Sequence, residues 1–510
     1  MEIRRLLLIA CLLPSALAAQ EPLRDASIAE LPLAALQAQL ADGTLSAEQV
    51  ARAFLRRIAD IDDAGPRLNA IITTNPDALA IARALDRRFD RDGAAGPLHG
   101  IPLVLKSNID TADRMATSAG SIALANHYAA ADAVLVQRLR AAGAVIIGKA
   151  NLSEWGSFRS PRSTSGWSSL GGQTHNPYVL DRSPCGSSSG SAVAVAARLA
   201  PLAVGTETDG SIVCSAGTNG VVGIKPTIGS VSRRGIVPLA ASQDTAGPLA
   251  RSVRDAALLL AVMSESGVEP GAESIQRADL RGLRLGVVRN YKGSGENPAV
   301  ESAYARALAT LRAGGAELVD PILLRFGNGF RAAELELLLY EFKAGLNDYL
   351  EASETAPSSL AALIRFNREH ASELMPHFGQ EIFLAAQAKG GLESAAYQTA
   401  VVNSTQRMRK VLQELFAEHE LDALVAPVNG PAEQIDWGKG DQFDVSSSNI
   451  AAVSGYPSIA VPAALAGELP IGLAFIGEPH QEPLLISVAA AFERVRGEFP
   501  APKFLPSLAE

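Results

Sequence analysis

Two turns rich in serine and glycine hold the residues best suited to chemistry. The first runs from Cys185 to Ser191 (CGSSSGS), and the second runs from Thr206 to Ser211 (TETDGS). A serine hydroxyl beside flexible glycines is a candidate nucleophile, and successive backbone N–H groups in such a turn can hold an anion. Either segment could equally be an ordinary surface turn, because serine and glycine favour turns in general. A phosphate-binding loop is disfavoured, because Gly190 is not followed by a lysine and a hydroxyl residue.

Other common catalytic chemistries lack their usual patterns. The seven histidines show neither an H-E-x-x-H motif nor another close metal-ligand spacing, which argues against a metal site. His99 is interpreted as a structural hydrogen-bonding residue. A Ser-His-Asp hydrolase would usually carry G-x-S-x-G between a strand and a helix, and Ser187–Gly190 does not supply it. No cofactor is expected.

The two turns resemble the signature of the amidase signature family. Its serine-rich turn between two glycines is matched by Gly186–Gly190, and its nucleophile turn is matched by Gly205–Ser211. The key serines, Ser187 and Ser211, are 24 residues apart (211 − 187), as in the family. A third segment, His99–Lys106 (HGIPLVLK), resembles the family's H-G-I-P-x-x-x-K. The resemblance runs from about residue 30 to about residue 480, and it implies an amide hydrolase.

The resemblance also implies a role for each matched residue. Ser211 would be the nucleophile that forms an acyl-enzyme, Ser187 would relay the proton, and Lys106 would be the terminal base. Gly156 and Ser188 are expected to contact the substrate. The backbone N–H groups expected to form the oxyanion hole belong to Thr208, Asp209, Gly210 and Ser211.

The implied base works only if its amine is uncharged. An exposed lysine has a pKa near ~10.4 and is a poor base at neutral pH. Burial lowers the pKa of a lysine, because desolvation disfavours the charged form. Lys106 follows the apolar run Ile101–Leu105, so we predict that it is buried. Two other lysines, Lys149 and Lys225, are interpreted as structural, because neither lies in a matched segment.

Three positions depart from the family's usual pattern. Asp209 stands where a second glycine is frequent, Val213 where an arginine is frequent, and Ser107 where an aspartate is frequent. These changes leave the three expected catalytic residues intact but alter the charge of the cleft. The segment around both turns, together with Tyr340–Ala344 (YEFKA), resembles the exported bacterial peptide amidases, which remove the C-terminal amide of peptides.

We therefore expect hydrolysis of peptide C-terminal amides to free acid and ammonia. Three alternatives stay open: a broad amidase for small aliphatic or aromatic amides, the tRNA-dependent amidotransferase subunit of the same family, and a catalytically silent binding protein. The amidotransferase alternative is disfavoured by the export signal described below.

The pattern of apolar segments predicts an α/β fold. A strand at 101–105, a helix at 132–142 and a strand at 144–147 predict parallel or mixed strands covered by helices. The resemblance implies a mixed central sheet of about eleven strands with helices on both faces. Residues 330–420 are predicted to form a helical insertion. Further predicted strands are Leu283–Val288, Ala316–Val319, Leu424–Ala426, Ser458–Val461 and Leu473–Ile476, and further predicted helices are Ser191–Leu199, Val253–Met263 (capped by Ser252), Ala299–Arg312, Ala332–Leu350 and Ala396–Glu418.

Composition and the N-terminal segment bound the location and the partners. Of 510 residues, 47% are hydrophobic and 19% charged, which is typical of a globular protein. The net charge of −9, without a run of basic residues, argues against nucleic acid as a partner. Residues 1–18 combine two arginines, an apolar stretch and Ala-Leu-Ala, which predicts a secretory signal, with a lipoprotein site at Cys11 as the minor alternative. We expect a single amidase domain over 19–510, exported to the periplasm or the medium and monomeric, without membrane contact once the signal is cleaved.

The two cysteines that follow the signal flank the serine turns. Cys185 and Cys214 are too few to form a disulfide-rich scaffold. We expect them to be small buried packing residues rather than a disulfide pair.

Overall fold

A mixed β-sheet of eleven strands forms the centre of the computed structural model, which describes residues 25–265, 275–351, 353, 355 and 357–509. The strand order is β1-β3-β2-β6-β8-β7-β12-β13-β11-β9-β10, and β4 and β5 form a separate two-stranded sheet. The predicted sheet is therefore confirmed. The strands are β1 (Ile71–Thr74), β2 (Pro102–Lys106), β3 (Val145–Ala150), β4 (Trp167–Ser168), β5 (Gly172–Gln173), β6 (Leu202–Glu207), β7 (Val222–Lys225), β8 (Thr245–Ala250), β9 (Arg284–Val288), β10 (Glu317–Ile322), β11 (Ala423–Pro427), β12 (Ser458–Ala466) and β13 (Leu469–Ile476).

Strands β2 and β6 bring the ends of two functional segments together. Strand β2 lies between β3 and β6 and runs parallel to both. In this register Leu105 is opposite Val204. The carboxyl ends of parallel neighbours lie at the same edge of a sheet, where sites in α/β proteins gather. Lys106, the last residue of β2, therefore lies beside the turn that follows Glu207.

Helices connect and cover the strands. In the first half they include α1 (Asp25–Glu30), α2 (Leu33–Ala41), α3 (Ala47–Arg57), α4 (Ala78–Asp92), α5 (Val134–Ala141), α6 (Ser189–Ala196), α7 (Val213–Thr218) and α8 (Val253–Met263). The second half contains α9 (Pro298–Ala313), α10 (Phe330–Glu351), α11 (Leu360–Glu369), α12 (Ala371–Leu374), α13 (Glu381–Gln387), α14 (Ala395–Val401), α15 (Arg407–His419), α16 (Asn449–Ser454) and α17 (Glu482–Arg496). The predicted single helix at 396–418 is divided by a π-helical turn, Val402–Gln406, and the predicted helix at 191–199 begins earlier, at Ser189.

The insertion is helical throughout most of its described residues and packs against the wall of the cleft. Its aromatic residues meet those of the loop 151–182 in a second hydrophobic cluster, separate from the main core. Trp155 contacts Phe383 edge-on at 5.8 Å between ring centroids, and Phe158 contacts Phe342 at 5.1 Å. This contact places the insertion beside the serine turns.

The predicted signal at residues 1–18 lies outside the described residues. Among the helices that the structure does describe, none combines the length and the apolar character needed to cross a bilayer.

The cap of helix α8 provides a test of the fold. Ser252 accepts a hydrogen bond from the backbone N–H of Asp255 at 3.1 Å, as its sequence position predicts. Ser252→Ala should lower the free energy of unfolding by about 1 kcal/mol, because one N–H of the first turn loses its partner. The midpoint of urea unfolding measures this change. Ser252→Thr keeps the acceptor and serves as the control, so an equal loss in both variants would contradict the capping role.

Candidate active site

Three side chains form a continuous hydrogen-bonded chain at the edge of the sheet. Lys106 Nζ lies 2.7 Å from Ser187 Oγ, and Ser187 Oγ lies 2.9 Å from Ser211 Oγ. Both distances suit proton transfer along the chain. The structure thus brings together the three residues that the sequence assigned to nucleophile, relay and base.

The hydrogen-bond partners of Lys106 Nζ allow an uncharged amine to direct its lone pair at Ser187. Besides Ser187, its Nζ contacts the carbonyl oxygen and Oγ1 of Thr206 at 3.1 and 3.0 Å, and Ser188 Oγ at 3.1 Å. The Thr206 carbonyl can only accept. A neutral amine can donate to this carbonyl and to one of the two hydroxyls, and then accept the proton of Ser187. The geometry therefore fits lysine as a base toward Ser187.

Burial accounts for the lowered basicity of the lysine. The side chain of Lys106 is 1% exposed. Desolvation lowers its pKa to about 7, and the nearby carboxylates of Glu207 and Asp244 partly oppose this effect. Close to half of the molecules carry the uncharged amine near neutral pH. The prediction that Lys106 is buried is correct.

The glycines of the first turn are required by close packing. A Cβ atom on Gly186 would lie 2.1 Å from Ser153 Oγ, and one on Gly190 would lie 2.2 Å from the carbonyl oxygen of Ala70. Neither position admits a larger residue without movement of its neighbours. The Gly186–Ser187 peptide is cis. Helix α6 begins two residues later, so the relay serine stands in the turn that leads into the helix.

One buried and one half-buried carboxyl group, those of Glu207 and Asp244, hold the nucleophile turn in place. Glu207 Oε2 accepts the N–H groups of Ile212 and Val213 at 2.6 and 2.9 Å. Asp244 Oδ1 accepts the hydroxyl of Thr208 at 2.6 Å. Burial raises the pKa of both carboxyl groups, that of Asp244 to about 6. These contacts fix both ends of the 208–211 turn.

The middle of this turn has backbone donors to spare. Gly210 has φ of +79°, in the region that glycine adopts readily. Over the described residues, the backbone N–H groups of Asp209, Gly210 and Ser211 donate to no protein acceptor. The turn can therefore offer N–H groups to a developing oxyanion, which agrees with the predicted oxyanion hole.

Two cavities meet at the relay serine. The first, of about 80 Å³, contains Lys106 and has an apolar wall that includes Trp155 and Phe342. The second, of about 280 Å³, contains Ser211. Gly156 and Ser187 line both cavities, so the position of Gly156 fits the expected substrate contact.

Ser188 occupies a different place from the one expected for a substrate contact. Its side chain is fully buried, donates to the carbonyl oxygen of Thr206 at 2.9 Å and accepts the Thr206 N–H at 3.1 Å. It lines neither of the two cavities. This placement supports Lys106 rather than a substrate.

A pair of acids in the second cavity was not found from the sequence. Asp209 is exposed to the cavity, and Glu334 and Ser448 lie close to its carboxylate. Burial raises the pKa of Glu334, and repulsion by the Asp209 carboxylate raises it further. Arg331 lies close enough to act in the opposite direction. Glu334 lies in the helical insertion, so only the fold reveals its proximity to the nucleophile.

Several other buried polar groups have structural partners. Lys149 Nζ donates to the carbonyl oxygen of Ile109, and Lys225 Nζ donates to that of Tyr456 at 2.7 Å. His99 Nδ1 accepts the N–H of Ala95 at 3.0 Å. These positions agree with the structural roles expected for the three residues. The described residues contain no cluster of three or more histidine, cysteine or acidic side chains arranged to hold a metal ion.

The expectation for the cysteines was wrong. Cys185 and Cys214 form a disulfide bond, with Cα atoms 6.1 Å apart. The fold brings the two serine turns into contact, and the cysteines, 29 residues apart in sequence, meet as a consequence.

Removal of the proposed base should slow acylation of the nucleophile. With Lys106→Ala, we expect labelling of Ser211 by a fluorophosphonate to slow roughly 10²–10⁴-fold, because no group remains to take the proton from Ser187. The rate is measured by mass spectrometry of the adduct. Lys410→Ala, an exposed lysine on α15, is the matched control and should label at the normal rate. An unchanged rate for Lys106→Ala would show that another base acts.

The rate of labelling should rise with pH through a midpoint near the pKa of about 7. Below this pH the lysine is charged and cannot accept a proton, so the rate should fall about tenfold per pH unit. Asp244→Asn removes a negative charge that raises the pKa of Lys106 and should move the midpoint to lower pH. Glu334→Gln should leave the midpoint in place. A midpoint that follows Glu334 instead would assign the titration to the acid pair.

Comparison with known proteins shows the family of the chain. The family model described as Amidase matches residues 49–486. A probable amidase of Arabidopsis thaliana is 38% identical over 94% of this chain and 92% of its own length. A glutamyl-tRNA(Gln) amidotransferase subunit of Halorhodospira halophila is 36% identical over 91% of this chain and 96% of its own length.

Solved structures show the same likeness. The native peptide amidase of Stenotrophomonas maltophilia has a TM-score of 0.87 and 46% identity, covering 93% of this chain and 99% of that chain. The same values hold for the peptide amidase PAM in complex with the competitive inhibitor chymostatin. Sequence, fold and family model agree, and the chain belongs to the amidase family.

Proposed function

We propose that the protein hydrolyses the C-terminal amide of peptides to the free acid and ammonia. The observation that carries this proposal is the buried Lys106–Ser187–Ser211 chain, which opens on a cavity of about 280 Å³. The likeness of this chain to a peptide amidase, at 46% identity, supports the choice of peptide amides within the amidase family.

The proposed reaction uses the chain in both directions. Ser187 gives its proton to the neutral amine of Lys106 and takes the proton of Ser211 as Ser211 attacks the amide carbon. The N–H groups of the 208–211 turn stabilise the oxyanion. Return of the proton through Ser187 lets the nitrogen leave as ammonia, which leaves an ester on Ser211. Water then attacks this ester by the same proton path and releases the acid.

The shape of the site supports a peptide rather than a small amide. The cavity beside Lys106 has an apolar wall that includes Trp155, Leu239 and Phe342, and it suits the side chain of the amidated residue. The larger cavity beside Ser211 leaves room for the preceding residues.

We also propose export to the periplasm or the medium, as the N-terminal segment predicts. A structural disulfide fits an oxidising compartment, since the cytosol keeps most thiols reduced.

A second candidate substrate is the side-chain amide of glutamine, because several relatives are glutamyl-tRNA(Gln) amidotransferase subunits.

A panel of amides tests the proposal. An N-acylated dipeptide amide with an aromatic last residue should be hydrolysed with a kcat/KM at least tenfold above that of acetamide, benzamide or free glutamine. Release of ammonia and the mass change from amide to acid measure the reaction. Ser211→Ala should abolish it. Hydrolysis of the simple amides alone would overturn the peptide assignment, and hydrolysis of glutamine alone would favour the second candidate.

A further inference from the structure

The disulfide joins the two catalytic turns beside their serines. Cys185 precedes Ser187 by two residues, and Cys214 follows Ser211 by three. Four hydrogen bonds also connect these turns. Ser187 Oγ lies 2.9 Å from Ser211 Oγ, and the N–H of Ser188 donates to the carbonyl oxygen of Ser211 at 3.1 Å. Ser188 Oγ donates to the carbonyl oxygen of Thr206 at 2.9 Å and accepts its N–H at 3.1 Å. The disulfide therefore joins the same two turns between which the proton would pass.

The bond also forms part of a thin wall between two cavities. Both cysteines line the cavity of Ser211, of about 280 Å³, and both line a neighbouring cavity of about 50 Å³. Cys185 is 3% exposed, whereas Cys214 is partly exposed. A small reductant can therefore approach the bond from the larger cavity, on the side of Cys214.

Breaking the bond would remove the covalent link between the two turns. Hydrogen bonds and packing alone would then hold them together. Proton transfer tolerates little displacement of a hydrogen bond at 2.9 Å. The contact between Ser187 and Ser211 is the one near the break that catalysis requires.

We propose that the Cys185–Cys214 disulfide is a positioning crosslink that holds Ser187 within proton-transfer distance of Ser211, so that reduction stops acylation reversibly. A dithiol such as dithiothreitol supplies the two electrons and two protons. The S–S bond breaks, two thiols form, and the dithiol becomes a cyclic disulfide. The inference rests on the serine relay of the proposed function but not on the choice of peptide substrate.

The experiment uses the full chain with Cys11→Ser, so that only the two cysteines of interest remain. Dithiothreitol is added in steps, and the thiols that form are alkylated in a quenched sample and counted by mass spectrometry. At each step the labelling rate of Ser211 with a fluorophosphonate, the kcat and KM for a dipeptide amide, and the near-UV circular dichroism are measured. Cys185→Ala/Cys214→Val, which roughly keeps the volume of the pair without the bond, is the matched variant.

We expect labelling rate and kcat to fall roughly 10- to 100-fold per folded molecule in the reduced protein and in the double variant, with KM nearly unchanged. Removal of the dithiol and reoxidation should restore the labelling rate and kcat of the reduced protein, whereas those of the double variant should stay low. A rate that stays constant with both thiols alkylated, or that falls only in proportion to the folded signal, would overturn the proposal, because the bond would then serve stability alone. If the oxidised protein labels at Ser211 but cleaves no amide, the proposed function fails while the labelling rate still decides the role of the bond.

Discussion

The candidate site depends on the exclusion of water from the amine of Lys106. Water around Lys106 would restore the charge and remove the base, and the fold prevents this by ending a fully buried strand at that residue. Two carboxylates nearby, those of Glu207 and Asp244, favour the charged form and partly oppose the effect of burial. They bind backbone and hydroxyl groups of the nucleophile turn rather than the lysine, so desolvation remains the larger effect on its pKa.

The parallel pairing of β2 with β6 brings the buried lysine to the other groups of the site. It sets the lysine at the end of one strand beside the nucleophile turn at the end of the next. The turn that leads into helix α6 then presents the relay serine between them. Each of the three candidate catalytic side chains thus comes from a strand or from a turn directly attached to a strand or helix. This rigidity can keep both hydrogen bonds of the chain, Lys106 to Ser187 and Ser187 to Ser211, near 3 Å.

The sequence predicted the fold class and the three side chains that meet at the site, but not every strand around them. The candidate catalytic residues stood out because their motifs fix residue types at short spacings, and the packing at Gly186 and Gly190 explains why those glycines cannot vary. Strands β6 and β8 escaped prediction from local patterns, because both contain alanine and glycine, which favour strands weakly. Glu334 and the disulfide also escaped, since both depend on contacts between segments distant in the chain.

The acid pair beside the nucleophile has a consequence for turnover. Hydrolysis converts an uncharged amide into a carboxylate within the cavity that holds Asp209 and Glu334. The new anion would face these acids together with two cations of the same cavity, Lys292 and Arg331. Like charges repel it and opposite charges attract it. The balance between these groups then sets how long the acid stays after hydrolysis and how readily it rebinds as concentrations rise.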